Sequence, residues 1–152
     1  MSASLKDGFE LAETQRTLPI ALLRAREAVM ERFRPMLSAH DVSEQQWRVM
    51  RVLQEAGELD ASRLAERACV LPPSLTRMLK SLEAREFIAL RRDTQDGRRM
   101  QVSLTDEGDA FIARVAPESA AIYREIEERI GATEIQTLLD RIEDLLTALK
   151  KD

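Results

Sequence analysis

Four arginines flank one tight turn in the stretch Arg91 to Thr105, RRDTQDGRRMQVSLT. Arg91 and Arg92 enter the turn, Arg98 and Arg99 leave it, and Asp96-Gly97 between them is a hairpin dipeptide. Guanidinium groups on a thin element with a small, polar tip can enter the minor groove of DNA, whose negative potential attracts arginine. Asp96 need not cancel them. Its carboxylate can accept from the turn's backbone N–H groups and from Arg98, which holds that arginine in one rotamer. The competing reading is a surface hairpin with ordinary ion pairs, worth about 0–1 kcal/mol each.

A second set of such residues lies just upstream in LPPSLTRMLKSLEAREF. Leu75, Met78, Leu79 and Leu82 repeat at helical spacing and form a buried stripe. Ser74, Thr76, Arg77 and Lys80 project from the other side, near the helix start. Arg77 can donate a bidentate pair to guanine, and Ser74 and Thr76 can bond bases or phosphates. The helix N-terminus itself favours a phosphate. A plain amphipathic helix with a solvated face has the same pattern, and the neighbouring basic hairpin favours DNA contact over it. Charge is distributed accordingly. The 152-residue chain has a net charge of −4, yet residues 72–101 hold seven Lys/Arg against four Asp/Glu. That is a localised basic footprint in an acidic chain.

Other groups suggest a small-molecule site. Arg26 sits within the stripe Leu22, Val29, Phe33, where a cation must be paired or stand at an opening. Its partner is either a neighbouring Glu or the carboxylate of a ligand met bidentately. Trp47 can stack on a small aromatic ring or can simply be core, with Arg48 beside it. His40 can bond a phenol or sense pH, although a lone histidine usually does neither. Cys69, the one cysteine, excludes an internal disulfide and reads as a small buried apolar residue; a redox-sensing thiol is the alternative.

Catalysis lacks a constellation. One His, one Cys, no metal-ligand spacing, no phosphate-binding glycine loop and no dinucleotide turn argue against an enzyme, a metal or a cofactor. Glu127 and Glu128 are adjacent and diverge on a helix. No apolar run reaches the ~20 residues of a membrane span, and the N-terminus lacks a secretory leader, so a cytoplasmic protein is expected.

The elements that position these groups follow from caps and periodicity. A helix from Thr17 to about His40 has Pro19 in its first turn and Pro35 near its end, where a kink is expected. Ser43 and Gln46 form a capping box for a second helix, which Gly57 ends. Asp60 caps a short third helix carrying Leu64, Ala65 and Ala68. The helix from Pro73 follows, then two strands with Ile88 and Leu90 in one and Met100, Val102 and Leu104 in the other. Thr105 caps a long helix to about Ile130, interrupted at Pro117. After Gly131, a Thr133/Gln136 box starts a last helix. Its seam of Ile135, Leu138, Ile142, Leu145 and Leu149 is heptad-like, and with Tyr123, Ile126 and Ile130 it suggests a dimer interface.

The fold class is mainly α with a small β-hairpin: a winged helix-turn-helix lobe over residues 43–104 and a helical dimerisation region over 17–42 and 105–152. Residues 1–16 read as an arm.

At this point the chain resembles the MarR family of winged helix-turn-helix regulators. Asp96-Gly97-Arg98, five residues, then Leu104-Thr105-Asp106-Glu107-Gly108 match its wing signature. The stretches ALLRAREAVMERFRPML, SEQQWRVMRVL and ACVLPPSLTRML are similar to regulators of homoprotocatechuate degradation operons. The resemblance covers about residues 18–150. It implies a homodimer on a pseudo-palindromic operator in double-stranded DNA, with recognition helices in major grooves and wings, including the Asp96–Arg98 pair, in minor grooves. It also implies a repressor released by a small aromatic carboxylate such as 3,4-dihydroxyphenylacetate. A winged-helix protein-interaction module, or an oxidant sensor acting through Cys69, is the alternative.

Overall fold

The computed structural model describes residues 13–95 and 97–151. Most of the expected arm and Asp96 therefore lie outside the described residues. Of the arm, Thr14–Arg16 form a single 3-10 turn.

Helix α1 (Leu18–Ala39) buries only its C-terminal half, through Phe33, Met36 and Leu37. Leu22 and Val29, placed on the same stripe by sequence, are 43% and 39% exposed. Helix α2 (Glu44–Ala56) has the expected capping box. The Gln46 N–H donates to Ser43 Oγ at 3.0 Å, and the Ser43 N–H donates to Gln46 Oε1 at 2.9 Å. Gly57 ends the helix at φ +79°, a conformation that favours glycine. Strand β1 (Leu59–Asp60) and helix α3 (Ala61–Ala68) share Asp60, whose carboxylate accepts from the Arg63 N–H at 2.9 Å. Helix α4 (Pro72–Ala84) buries all four expected residues, Leu75, Met78, Leu79 and Leu82.

Strands β2 (Ile88–Arg92) and β3 (Met100–Leu104) form the expected hairpin, with Leu90 opposite Val102. The sheet has a third strand that periodicity does not reveal. Its order is β1-β3-β2, all antiparallel, with Leu59 opposite Val102. Two residues are too few for an alternation, so pairing alone defines β1.

Thr105 caps helix α5 (Asp106–Ile130) by accepting from the Gly108 N–H at 3.0 Å. The expected interruption at Pro117 does not occur. Proline removes the one N–H that would bond the Ala113 carbonyl, and both residues are exposed, so water can satisfy the freed oxygen. Helix α6 (Ala132–Ala148) also departs from expectation. It begins directly after Gly131 at φ +110°, which makes Thr133 its second residue rather than its cap. No side-chain cap is present there.

The core is built from α1's end through the first turns of α5, with Met50, Leu53, Leu64, Leu82, Val49, Val102 and Val115 fully buried. Helix α6 has no fully buried residue. Among the described residues, no helix is long and apolar enough to cross a membrane.

Candidate nucleic-acid interface and an adjoining cavity

The outer side of α4 presents Thr76, Arg77 and Lys80 to solvent, while Ser74 is half-buried. The Thr76 hydroxyl donates to the Pro72 carbonyl at 3.2 Å and keeps its lone pairs for an incoming donor. Strand β2 packs against α4, which sets the hairpin beside the helix.

The four hairpin arginines are not equivalent. Arg91 makes a two-point pair with Glu58, Nε to Oε2 at 3.3 Å and Nη2 to Oε1, and so ties the hairpin to the loop before β1. Arg92 donates to the Gly97 carbonyl at 2.8 Å and braces the turn. Asp93 works as a local clamp. Its N–H donates to the Arg99 carbonyl at 2.9 Å, and its carboxylate accepts from the Gln95 N–H at 2.9 Å. Arg98 and Arg99 lie exposed on the outgoing side. All four arginines are thus exposed, and Arg91 and Arg92 also brace the hairpin.

A cavity of about 730 Å3 opens where α1, α2 and α5 meet. One side of α2 supplies Glu44, Trp47, Arg48 and Arg51, α1 supplies Arg26 and Phe33, and α5 supplies Ile112, Ser119 and Tyr123. Volume and lining suit a small ligand. Three guanidinium groups face one carboxylate, so the polar wall favours an anion, and the apolar wall suits a ring.

Three of the four ligand candidates named from sequence meet here. Arg26 pairs with Glu44 and lies 3.6 Å from Glu27, so it has the neighbouring Glu partner and also stands at the opening. Glu27 itself is held by Arg34 at 2.9 Å through both oxygens, and those hydrogen bonds keep its carboxyl below the usual range. Trp47 is half-buried and meets Phe111 edge-on at 6.3 Å, which makes it part core and part cavity wall. Arg48 donates weakly to the Cys69 carbonyl at 3.5 Å, and its Nε is buried with no hydrogen-bond partner. An unmade bond of that kind costs about 1–3 kcal/mol, so an acceptor entering the cavity would be welcome there.

His40 stands apart. It is not in the cavity wall but joins the end of α1 to α5, with Nε2 2.5 Å from Glu118 and its ring edge-on to Phe111. Cys69, expected to be buried, is exposed. It caps α3 in the left-handed conformation at φ +55°, which turns its side chain outward while Ala68 and Val70 take the core positions.

Arg51 and Ser119 are not among the sequence candidates, and Tyr123, expected at a dimer interface, lines the cavity. Glu44, Trp47, Arg48 and Arg51 follow an i, i+3, i+4, i+7 pattern, one stripe of α2 with its own chemistry, and that spacing was the available signal.

Of the five seam residues, Ile135, Ile142 and Leu145 are half-buried, while Leu138 and Leu149 are 54% and 70% exposed. Leu18, Leu22 and Leu23 of α1 and Tyr123 and Ile130 of α5 are exposed as well. Among the described residues, no group of three or more His, Cys, Asp or Glu is placed to hold a metal.

The MarR family model matches residues 42–100. The homoprotocatechuate degradative operon repressor of Escherichia coli is 40% identical over 130 residues, covering 86% of this chain and 88% of that one. The HTH-type transcriptional regulator FarR of Neisseria gonorrhoeae is 38% identical over 129 residues, covering 85% and 88%. The crystal structure of NadR in complex with 4-hydroxyphenylacetate superposes with a TM-score of 0.80 at 36% identity, covering 87% of this chain and 96% of that one.

Proposed function

This chain belongs to the MarR family of transcriptional regulators, and from that premise we propose that it is a homodimeric repressor of an aromatic-compound catabolic operon, released by a small aromatic carboxylate. The observation that carries the reading is the arginine-lined cavity between α1, α2 and α5. Its wall is shared by helices of the proposed dimerisation region (17–42 and 105–152) and of the proposed DNA-binding lobe (43–104), so an occupant can change the angle between them. Arg48 offers the route. It lines the cavity and its Nη2 reaches the Cys69 carbonyl in the turn between α3 and α4. The effector class is an aromatic ring with a carboxylate, 3,4-dihydroxyphenylacetate or a relative, acting in the cytoplasm; the binding of 4-hydroxyphenylacetate by NadR supports it.

On DNA, α4 would enter the major groove with Ser74, Thr76, Arg77 and Lys80, and the hairpin would reach the flanking minor groove with Arg98 and Arg99. Arg91 and Arg92 would shape the wing. Two recognition helices about 34 Å apart would read a pseudo-palindrome. The exposed leucines of α1 and α6 would be covered by the second chain.

Fluorescence anisotropy on duplex from upstream of the chain's own gene tests this reading. Two chains should bind per operator, tightly at low salt and steeply less so as salt rises. Adding 3,4-dihydroxyphenylacetate should release the DNA. Arg98→Ala should weaken binding to every sequence and reduce the salt slope by about one, whereas Arg77→Ala should cost about 1–3 kcal/mol at particular base pairs only. Normal operator binding by Arg98→Ala at physiological salt would remove the wing from the proposal.

A further inference from the structure

The tip of α4 is apolar. Leu71 occupies its N-cap position without a side-chain cap and is 74% exposed, the largest exposure of any large apolar side chain among the described residues. Pro72 and Pro73 follow, both exposed. Helix starts usually offer several unpaired N–H groups to an anion. Here the two prolines have none, and the Leu75 N–H is taken by the Leu71 carbonyl at 3.0 Å. Ser74 alone retains a first-turn donor, so the phosphate expected at this end from sequence finds little to bind.

Leu71 belongs to no part of the core. A serine would cap the helix better and cost nothing in exposed apolar surface. Folding therefore gives no reason for leucine at this position. Behind the tip, the exposed residues of α4 turn polar and then cationic, with Thr76, Arg77 and Lys80. The N-terminal residues of a recognition helix meet base edges. The apolar group on a major-groove edge is the C5-methyl of thymine.

We infer that Leu71, with Pro72 beside it, reads a thymine methyl in each operator half-site, as a specificity determinant separate from Arg77. This rests on the DNA-binding reading above. Prolines at the first two helical positions stiffen the tip, so the leucine is presented with little backbone freedom to lose.

The test uses the full chain to enrich a duplex from a randomised pool, then replaces each thymine of that duplex singly by deoxyuridine. Uracil keeps every hydrogen-bonding edge and removes only the methyl. One position per half-site should lose roughly fourfold in affinity, the value of one buried methyl-sized group. Leu71→Ser should erase that loss at that position, Leu71→Met should keep it, and Arg77→Ala should leave it in place. Serine's better capping means that the variant should melt no lower than the parent, so an erased methyl effect cannot be blamed on unfolding. Deoxyuridine tolerated within twofold at every position, or discrimination that survives Leu71→Ser, would overturn the inference. A pool that yields no enriched duplex would overturn the DNA-binding reading beneath it.

Discussion

An Arg51→Met chain is expected to bind aromatic carboxylates about 10- to 100-fold more weakly while binding its operator as the parent does. The magnitude is that of one charge-assisted hydrogen-bonded pair, about 1.5–3 kcal/mol. Arg51 is singled out by what its two neighbours in the cavity are already doing. Arg26 has carboxylates on it, from Glu44 and Glu27. Arg48 spends one nitrogen on the Cys69 carbonyl. Arg51 contacts only the neutral amide of Gln54 among the described residues, so its positive charge has no counter-charge there; the same holds for Arg48, but Arg51 is the more exposed of the two and the readier to meet a ligand. A ligand carboxylate gains most where the cation is least compensated. The readout is built in, because Trp47 is the chain's single tryptophan and lies in the same wall. Quenching of its fluorescence by 4-hydroxyphenylacetate or 3,4-dihydroxyphenylacetate gives affinity without reference to DNA. If Arg51→Met is quenched like the parent and Arg26→Met is not, the carboxylate sits at the opening rather than on α2.

Under the proposed function, Arg48 is expected to separate binding from response. Its buried Nε has no partner, and its Nη2 is joined to the backbone that orients α4. An acceptor that draws the guanidinium into the cavity must lengthen a contact that is already 3.5 Å. Coupling between sites is a difference in free energy, and about 1.4 kcal/mol is enough for tenfold release. Loss of one weak hydrogen bond is of that order.

Sequence showed this site unevenly, and for a physical reason. Caps are local chemistry, so Ser43 with Gln46, Asp60 and Thr105 could be read directly, and each makes the bond its residue type allows. The buried stripe of α4 is likewise a property of one helix. Features that depend on distant partners could not be read. Glu58 neutralises Arg91 from 33 residues away, β1 exists only through β3, and the cavity needs three helices to close around it. Trp47 and Arg48 of α2 stood out by residue type, but Glu44 and Arg51 of the same stripe did not, because the wall that faces them, on α5, lies more than sixty residues downstream. Cys69 misled for the opposite reason. Its apolar neighbours suggested burial, but a left-handed cap reverses the direction of one residue without changing those on either side.

Gly108→Ala is expected to cost the fold more than any surface change considered above. Glycine ends the Leu104-Thr105-Asp106-Glu107-Gly108 motif, and the structure gives its reason. A Cβ at this position would lie 2.2 Å from the Phe87 carbonyl oxygen, 3.1 Å from the Phe87 carbonyl carbon and 3.0 Å from a Leu104 methyl. The oxygen cannot yield cheaply, because it accepts the Thr105 N–H at 3.1 Å, and the Thr105 hydroxyl donates to the neighbouring Glu86 carbonyl at 2.5 Å. Making room would push the first turn of α5 away from β2, and that turn leads into Phe111, Ile112 and Val115, all buried. Overpacking of this kind costs about 1–3 kcal/mol and occasionally more. Alanine's helix propensity returns about 1 kcal/mol, and the clash is with backbone, so a net loss of about 1–2 kcal/mol and a melting point lower by about 2–8 °C are expected at fixed protein concentration. Gly97→Ala is the matched control. Nothing lies within 4 Å of its added Cβ, and thermal unfolding should barely change. If Gly108→Ala instead melts higher, as an unhindered helical glycine would on gaining a methyl, then α5 does not lie against the Phe87 backbone as described. The seating of α5 on the hairpin would then have to be rebuilt, and with it the far wall of the cavity.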